Sequence, residues 1–227
     1  MRQIALDIGL WTGPTLDNFV PGPNQAVLEH LQLWLGAADS GLLSPVPTYL
    51  WGTDGCGKSH LLRAVREALR MRGASVGWMD ASTLHAPDFD EHWACVLMDD
   101  VHLYTAEQQH AAFNWFVNAQ AHQRSVLSAG SVTPLGLALR EDLRTRLGWG
   151  HVFGLQLLSE AETRSALRQT ADARGVFLRD EVMDYMLKRF SRDLGSLMEL
   201  LDLLDRYALQ TQRPITIPLL KSMMDNE

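Results

Sequence analysis

The chain has 227 residues, 46% of them apolar, enough for one α/β domain with a small accessory domain. It carries a net charge of −7 and has lysine only at Lys58, Lys188 and Lys221, which excludes a strong sequence-independent grip on DNA. No apolar run reaches membrane-spanning length and nothing has the pattern of a secretory signal, so a cytoplasmic protein is expected.

Residues 1–9 read as a short tail, and a first helix is expected over residues 23–38. Thr48–Trp51 reads as a short buried strand. The octapeptide Gly52-Thr53-Asp54-Gly55-Cys56-Gly57-Lys58-Ser59 follows it and fits the phosphate-loop pattern G-x-x-x-x-G-K-[ST] at every position. A helix is expected over Ser59–Arg72, with Leu61, Leu62, Val65 and Leu69 on its apolar face. A glycine-rich turn can meet such a pattern by accident, but strand, loop and helix start are together what a nucleotide phosphate needs. Glycines let the backbone come close, and free N–H groups at the helix start face the anion. Lys58 would reach the outer phosphates, and the Ser59 hydroxyl would ligate Mg2+.

Further strands are expected at Ser75–Met79, Cys95–Met98, Ser125–Ala129 and Val152–Leu155, with helices at about Ala106–Gln123 and Leu135–Leu139. This alternation suits a parallel sheet with helical crossovers over residues 10–155. The strand Cys95–Met98 ends in Asp99 and Asp100. After a phosphate loop, that ending places Asp99 beside the magnesium shell and leaves Asp100 to orient or activate water. Cys56 and Cys95 suit a reducing compartment and small buried spaces; a reactive Cys56 beside Lys58 is the less favoured alternative.

Beyond Leu155 the strand signals stop. Ser159-Glu160-Ala161-Glu162 is a capping box opening a helix that runs to Arg174 and stops at Gly175. Helices over about Asp180–Phe190 and Leu194–Gln212 follow, then a short one from Ile217 or Pro218, so residues 156–227 form a helical domain. The eight histidines are scattered without metal-ligand spacing, so a metal site made only of protein ligands is not expected.

Several segments resemble the DnaA-related AAA+ ATPases, and in particular the branch that inactivates the DnaA initiator. Thr15-Leu16-Asp17-Asn18-Phe19-Val20, followed by Gly22, is similar to the segment that contacts adenine in that family. The phosphate loop followed by His60-Leu61-Leu62 matches the family's loop, and Arg144-Thr145-Arg146-Leu147-Gly148-Trp149-Gly150 resembles its arginine-finger segment. Leu200–Tyr207 and Pro214-Ile215-Thr216-Ile217-Pro218 resemble its lid. The resemblance implies a five-stranded parallel AAA+ sheet with flanking helices, followed by an all-α lid. It also implies ADP or ATP with Mg2+ bound through Asn18, Phe19, Val20, the loop Gly52–Ser59 and His60. Arg146 would be the arginine finger, offered in trans; as a surface arginine it would instead pair with Glu141 or Asp142.

Gln3-Ile4-Ala5-Leu6-Asp7-Ile8 resembles the clamp-binding hexapeptide of that branch, with Gln3 at a groove's rim and Ile4, Leu6 and Ile8 inside it. The implied partners are DnaA and the sliding clamp, the β subunit of DNA polymerase III. The function implied is hydrolysis of DnaA-bound ATP and restraint of re-initiation, close to the nucleoid through the clamp, with a homodimer compatible with arginine-finger contacts. The chain ends soon after the lid-like segment and is acidic between Met79 and Cys95, which speaks against an initiator gripping DNA by itself. Two positions depart from the family. Gly130 stands where the first sensor aspartate is usual, leaving Ser128 or Ser131 as stand-ins. Gly195 stands where the lid's sensor arginine is usual, with Arg192 nearest. Nucleotide binding with weak intrinsic hydrolysis is therefore expected. An autonomous AAA+ ATPase, such as a helicase loader or truncated initiator, is the alternative; a third is an adaptor whose nucleotide only supports the fold. The sequence assigns Trp149 and the other tryptophans neither to the core nor to a partner surface.

Overall fold

The computed structural model describes residues 13–37, 43–190 and 193–225, in two units that divide between Gln156 and Leu157. In the first unit β1 (Thr48–Trp51), β2 (Val76–Met79), β3 (Cys95–Met98), β4 (Ser125–Gly130) and β5 (His151–Gly154) form one sheet of order β2-β3-β4-β1-β5. Every pairing is parallel. β1, β3 and β4 are buried almost throughout because both faces are covered, the pattern of an interior parallel strand.

The pleat sends alternate residues to opposite faces. Leu50, Leu97 and Leu127 meet Leu31 and Leu35 of α1 (Gln25–Ala37) and Leu61, Leu62 and Val65 of α2 (Lys58–Met71). Tyr49, Val96, Met98 and Val126 meet Trp115 and Phe116 of α3 (Ala106–Ala121) and Leu143 and Leu147 of α4 (Glu141–Leu147). Both cysteines are buried and unbridged.

The helix expected at Leu135–Leu139 is not formed. Pro134 opens a single 3-10 turn, Pro134–Gly136, and Leu137 leaves it in an extended conformation. Leu137 and Leu139 are buried while their neighbours are exposed, a period of two belonging to an extended segment. The α-helix comes later, at Glu141–Leu147, with Glu141 and Asp142 in its first turn and Arg144 and Arg146 in its last. That order of charge suits the helix dipole, and it puts Arg146 on a helix.

The second unit is all helical: α5 (Glu160–Ala173), α6 (Asp180–Arg189), α7 (Leu194–Thr211) and α8 (Ile217–Met224). Leu167, Met183, Met186, Leu197, Leu201, Leu204, Leu219 and Leu220 close its core. Ser159 and Glu162 make the expected capping box, and Gly175 ends α5 in the left-handed region. Arg174 pairs with the nearly buried Asp202 across this core. Among the described residues no helix is long and apolar enough to cross a membrane.

Candidate nucleotide-binding site

β1 delivers the chain into the loop Gly52–Ser59, and α2 begins at Lys58 directly behind Gly57. Gly57 sits at φ 99°, and a Cβ there would come within 2.7 Å of the Phe19 ring. Only glycine gives both the left-handed turn and that approach. The helix start has no side-chain cap, so its free N–H groups face outward from the loop.

Lys58 is only 4% exposed. Its Nζ donates to the carbonyls of Gly52 (2.8 Å) and Thr53 (3.1 Å) and lies 3.9 Å from Cys56 Sγ. Among the described residues no carboxylate pairs with it. A buried ammonium answered only by neutral groups is costly to keep, and an anion at the loop offsets that cost. Cys56 is 5% exposed, and burial pushes its thiol up against the opposing charge of Lys58, which disfavours the thiolate and suits a space-filling role.

Asp99, 2% exposed, is hydrogen-bonded by the Ser59 side chain, which brings together the two residues expected to hold Mg2+. Burial raises its carboxyl above the usual range; the Ser59 hydrogen bond opposes that shift and the charge of Asp100 adds to it. A cation beside Asp99 would reverse the balance. Among the described residues no three His, Cys, Asp or Glu side chains are grouped to hold a metal by themselves. A Mg2+ ion here would be held by Ser59 and Asp99 together with phosphate oxygens, as is usual for that ion. The chain leaves β3 through Asp100 at φ 50°, a region aspartate tolerates better than most residues.

The segment Thr15–Val20 packs onto the loop. Thr15 and Asn18 exchange backbone-to-side-chain hydrogen bonds (2.9 and 3.1 Å), and Asn18 Nδ2 donates to the Gly13 carbonyl at 3.1 Å. His60 Nε2 donates to the Thr15 carbonyl at 3.0 Å, and its ring lies 5.6 Å from that of Phe19. Phe19 therefore meets the phosphate loop at Gly57, and His60 ties the segment to the start of α2. Arg63, one turn beyond Ser59, was not anticipated; its charge acts on both His60 and Asp99.

Arg146 lies apart on α4. Its guanidinium stacks over Phe113 of α3 (5.1 Å) and over Trp149 (4.8 Å), beside a depression of about 590 Å³. Of the two carboxylates expected to compete for it, Glu141 and Asp142, the second is taken: Arg140 holds Asp142 with two hydrogen bonds of 2.9 and 2.6 Å. Among the described residues Arg146 pairs with no carboxylate. Trp149 is 60% exposed, so it belongs to the surface. An arginine three residues before a tryptophan at a helix end hinted at that stack; Phe113 left no sequence signal.

Ser128 is buried and spends its hydroxyl on the Thr48 carbonyl (3.5 Å), while Ser131 lies past the strand end. Gly195 stands in the first turn of α7, where Asp193 accepts from its N–H at 3.1 Å and from that of Ser196 at 2.9 Å. Gln3, Ile4, Leu6, Ile8 and Arg192 lie outside the described residues.

The parallel sheet, the phosphate loop and the paired carboxylates at the end of β3 define a P-loop fold. Residues 160–224 match the family described as Hda, lid domain. Domain III of the Thermotoga maritima replication initiation protein DnaA is similar in structure (TM-score 0.71), at 18% identity over 93% of this chain and 95% of that one. AMPPCP-bound DnaA from Aquifex aeolicus has a TM-score of 0.65 at 22% identity, over 85% of this chain and 65% of that one. The Thermotoga maritima RuvB Holliday junction branch migration motor has a TM-score of 0.64 at 17% identity, over 94% and 72%. At these identities the likeness to the solved structures is one of fold, and the lid match narrows it. The chain thus has the fold of the DnaA AAA+ domain, and its residues 160–224 match the lid domain of the Hda family.

Proposed function

We propose that this chain binds an adenine nucleotide in the loop Gly52–Ser59 and regulates replication initiation by presenting Arg146 to ATP held by a DnaA molecule. The observation that carries the nucleotide reading is Lys58: a buried ammonium, without a carboxylate partner among the described residues, at the bare N-terminus of α2. The solved DnaA bound to AMPPCP is a protein of the same fold.

In this reading the loop N–H groups and Lys58 hold the phosphates, Ser59 and Asp99 hold Mg2+, and Asn18, Phe19 and Val20 flank the base. Bound Mg2+ and phosphate would supply the counter-charges that Lys58 and Asp99 lack. Asp100 stands ready to orient water, but Gly130 and Gly195 offer no polar side chain at the two sensor positions, so hydrolysis in this chain's own site is weak.

Arg146 acts on the partner's nucleotide. A guanidinium forks onto phosphate oxygens and keeps its charge at any working pH. Held between Phe113 and Trp149, with Asp142 engaged elsewhere, it is pre-oriented and not neutralised. An arginine supplied across an interface accelerates phosphoryl transfer by about 10³–10⁵. The tail bearing Gln3, Ile4, Leu6 and Ile8 docks on the DNA-loaded sliding clamp, which brings chain and DnaA together. DnaA left with ADP then restrains a second initiation.

The test is single-turnover hydrolysis of DnaA-bound ATP with clamp alone, this chain alone, and both together. Stimulation that needs both supports the reading. Equal turnover with and without the chain refutes it. Alanine at Gln3, Leu6 and Ile8 should abolish retention on immobilised clamp, and retention of that variant would remove the tail from the mechanism.

A further inference from the structure

The chain leaves β5 at Gly154 and passes from the first unit to the second between Gln156 and Leu157. It is held twice before it crosses. Leu155 N–H donates to the Trp51 carbonyl at 2.7 Å, and the Leu155 carbonyl lies so near Gly52 that a Cβ there would come within 2.5 Å of it. Gln156, the last residue of the first unit, is then held by both its backbone polar groups. Its N–H donates to Asn24 Oδ1 at 2.8 Å, and its carbonyl accepts from Asn24 Nδ2 at 2.9 Å.

Asn24 is only 5% exposed and stands at the end of the 3-10 turn Gly22–Asn24, directly ahead of α1. A side-chain amide carries one acceptor and one donor group, so it can answer the N–H and the C=O of a single residue and fix it as a neighbouring strand would. The segment that ends in Asn24 also reaches the phosphate loop, where the Phe19 ring lies against Gly57. The loop is thus touched by Leu155 at Gly52 and by Phe19 at Gly57. Asn24 ties those two neighbours of the loop together across 132 residues of sequence. A shift of the loop around a bound phosphate would press on both segments, and the Asn24 pair makes them respond as one body.

We infer that Asn24 is a positioning residue for the helical unit: by pinning Gln156 to the segment that packs on the phosphate loop, it passes nucleotide binding from the loop into the connection that leads to that unit. The inference rests on the reading that the loop Gly52–Ser59 holds nucleotide phosphates.

Hydrogen–deuterium exchange of the full chain, with and without ADP and Mg2+, tests this on the wild type, Asn24→Ala and Asn24→Asp, with ADP uptake measured by calorimetry on the same samples. In the wild type ADP is expected to slow exchange at the phosphate loop, and to slow it by about fivefold or more in α5–α8. Asn24→Ala is expected to take up ADP and keep the slowing at the loop while losing it in α5–α8. Asn24→Asp keeps the acceptor for the Gln156 N–H and loses the donor to its carbonyl, so it is expected to fall between. A wild type in which ADP slows exchange at the loop alone overturns the inference and leaves nucleotide binding intact. So does an Asn24→Ala variant with full slowing in both places. An Asn24→Ala variant that melts cooperatively yet takes up no ADP overturns it as well, since Asn24 would then serve the nucleotide seat and not the connection. If Asn24→Ala does not melt cooperatively, Asn24→Asp decides, and full slowing in α5–α8 of that variant overturns the inference. Absence of ADP uptake by the wild type overturns the nucleotide reading itself, and this inference with it.

Discussion

Arg146→Ala separates a functional arginine from a structural one, because the contacts that hold it have calculable worth. The side chain has two ring contacts, at 5.1 and 4.8 Å, and pairs with no carboxylate among the described residues. Half-exposed cation–π contacts contribute about 0.5–1 kcal/mol each, so the variant should lose only about 1–2 kcal/mol of stability. If the guanidinium serves DnaA-bound ATP, the same change should cut stimulation about 10³-fold or more, roughly 4 kcal/mol of transition-state stabilisation. The assay is single-turnover release of phosphate from DnaA-bound ATP with DNA-loaded clamp, at saturating concentration of the variant. Arg140→Ala is the control: Arg140 shares the Phe113 ring at 5.2 Å but is locked to Asp142, so its loss should leave stimulation nearly intact. Arg146→Lys keeps charge but not the fork or the stack and should fall between. Full stimulation by Arg146→Ala, or an equal loss in Arg140→Ala, would refute the reasoning.

Leu201→Ala, at a fully buried position of the helical unit, should cost about 2–5 kcal/mol in urea unfolding, and a loss under about 1 kcal/mol would mean that core is not closed as described. Asp193→Ala removes the side chain that caps α7 through two N–H groups and should cost about 1 kcal/mol, read by the same transition. Stability should also depend on pH through His30. Burial, then the neighbouring His151 charge, lowers its pKa below the ordinary 6.5, so below that value the unfolded chain binds the proton first. Stability is therefore fully present above about pH 7 and falls as pH drops through about 6.5, levelling once folded His30 protonates. His60, also held low mainly by burial, acts in the same direction. Urea midpoints from about pH 7.5 to 5.5 should show the decline, shallower in His30→Gln; an unchanged slope would remove His30 as a contributor.

The phosphate loop was legible because its chemistry dictates residue types at fixed spacing: Gly57 for a left-handed turn, Lys58 and Ser59 at a helix start. The interior strands β1, β3 and β4 were legible because buried parallel strands are short runs bounded by turns, and the expected ends of all five strands differ from those observed by at most one residue. The segment Leu135–Leu139 misled because Leu135, Leu137 and Leu139 can suggest one turn of helix, whereas Pro134 and the alternating burial make it extended. What the sequence could not carry was contact across the fold. Nothing near residue 24 announces that Asn24 holds the backbone of Gln156, and nothing near residue 146 announces Phe113. Those pairings arise only when parallel register and helix packing bring distant segments together.

The central claim is that the loop around Lys58 is an anion site for a nucleotide, and titration calorimetry of ADP with Mg2+ into the wild type and Lys58→Met tests it most directly. The account predicts saturable one-site uptake by the wild type. It predicts uptake weakened beyond detection in Lys58→Met, with no fall in the variant's melting temperature without nucleotide, since a buried unpaired ammonium has been removed. Wild-type protein that takes up no ADP, or a Lys58→Met variant that binds it as tightly, would contradict the account.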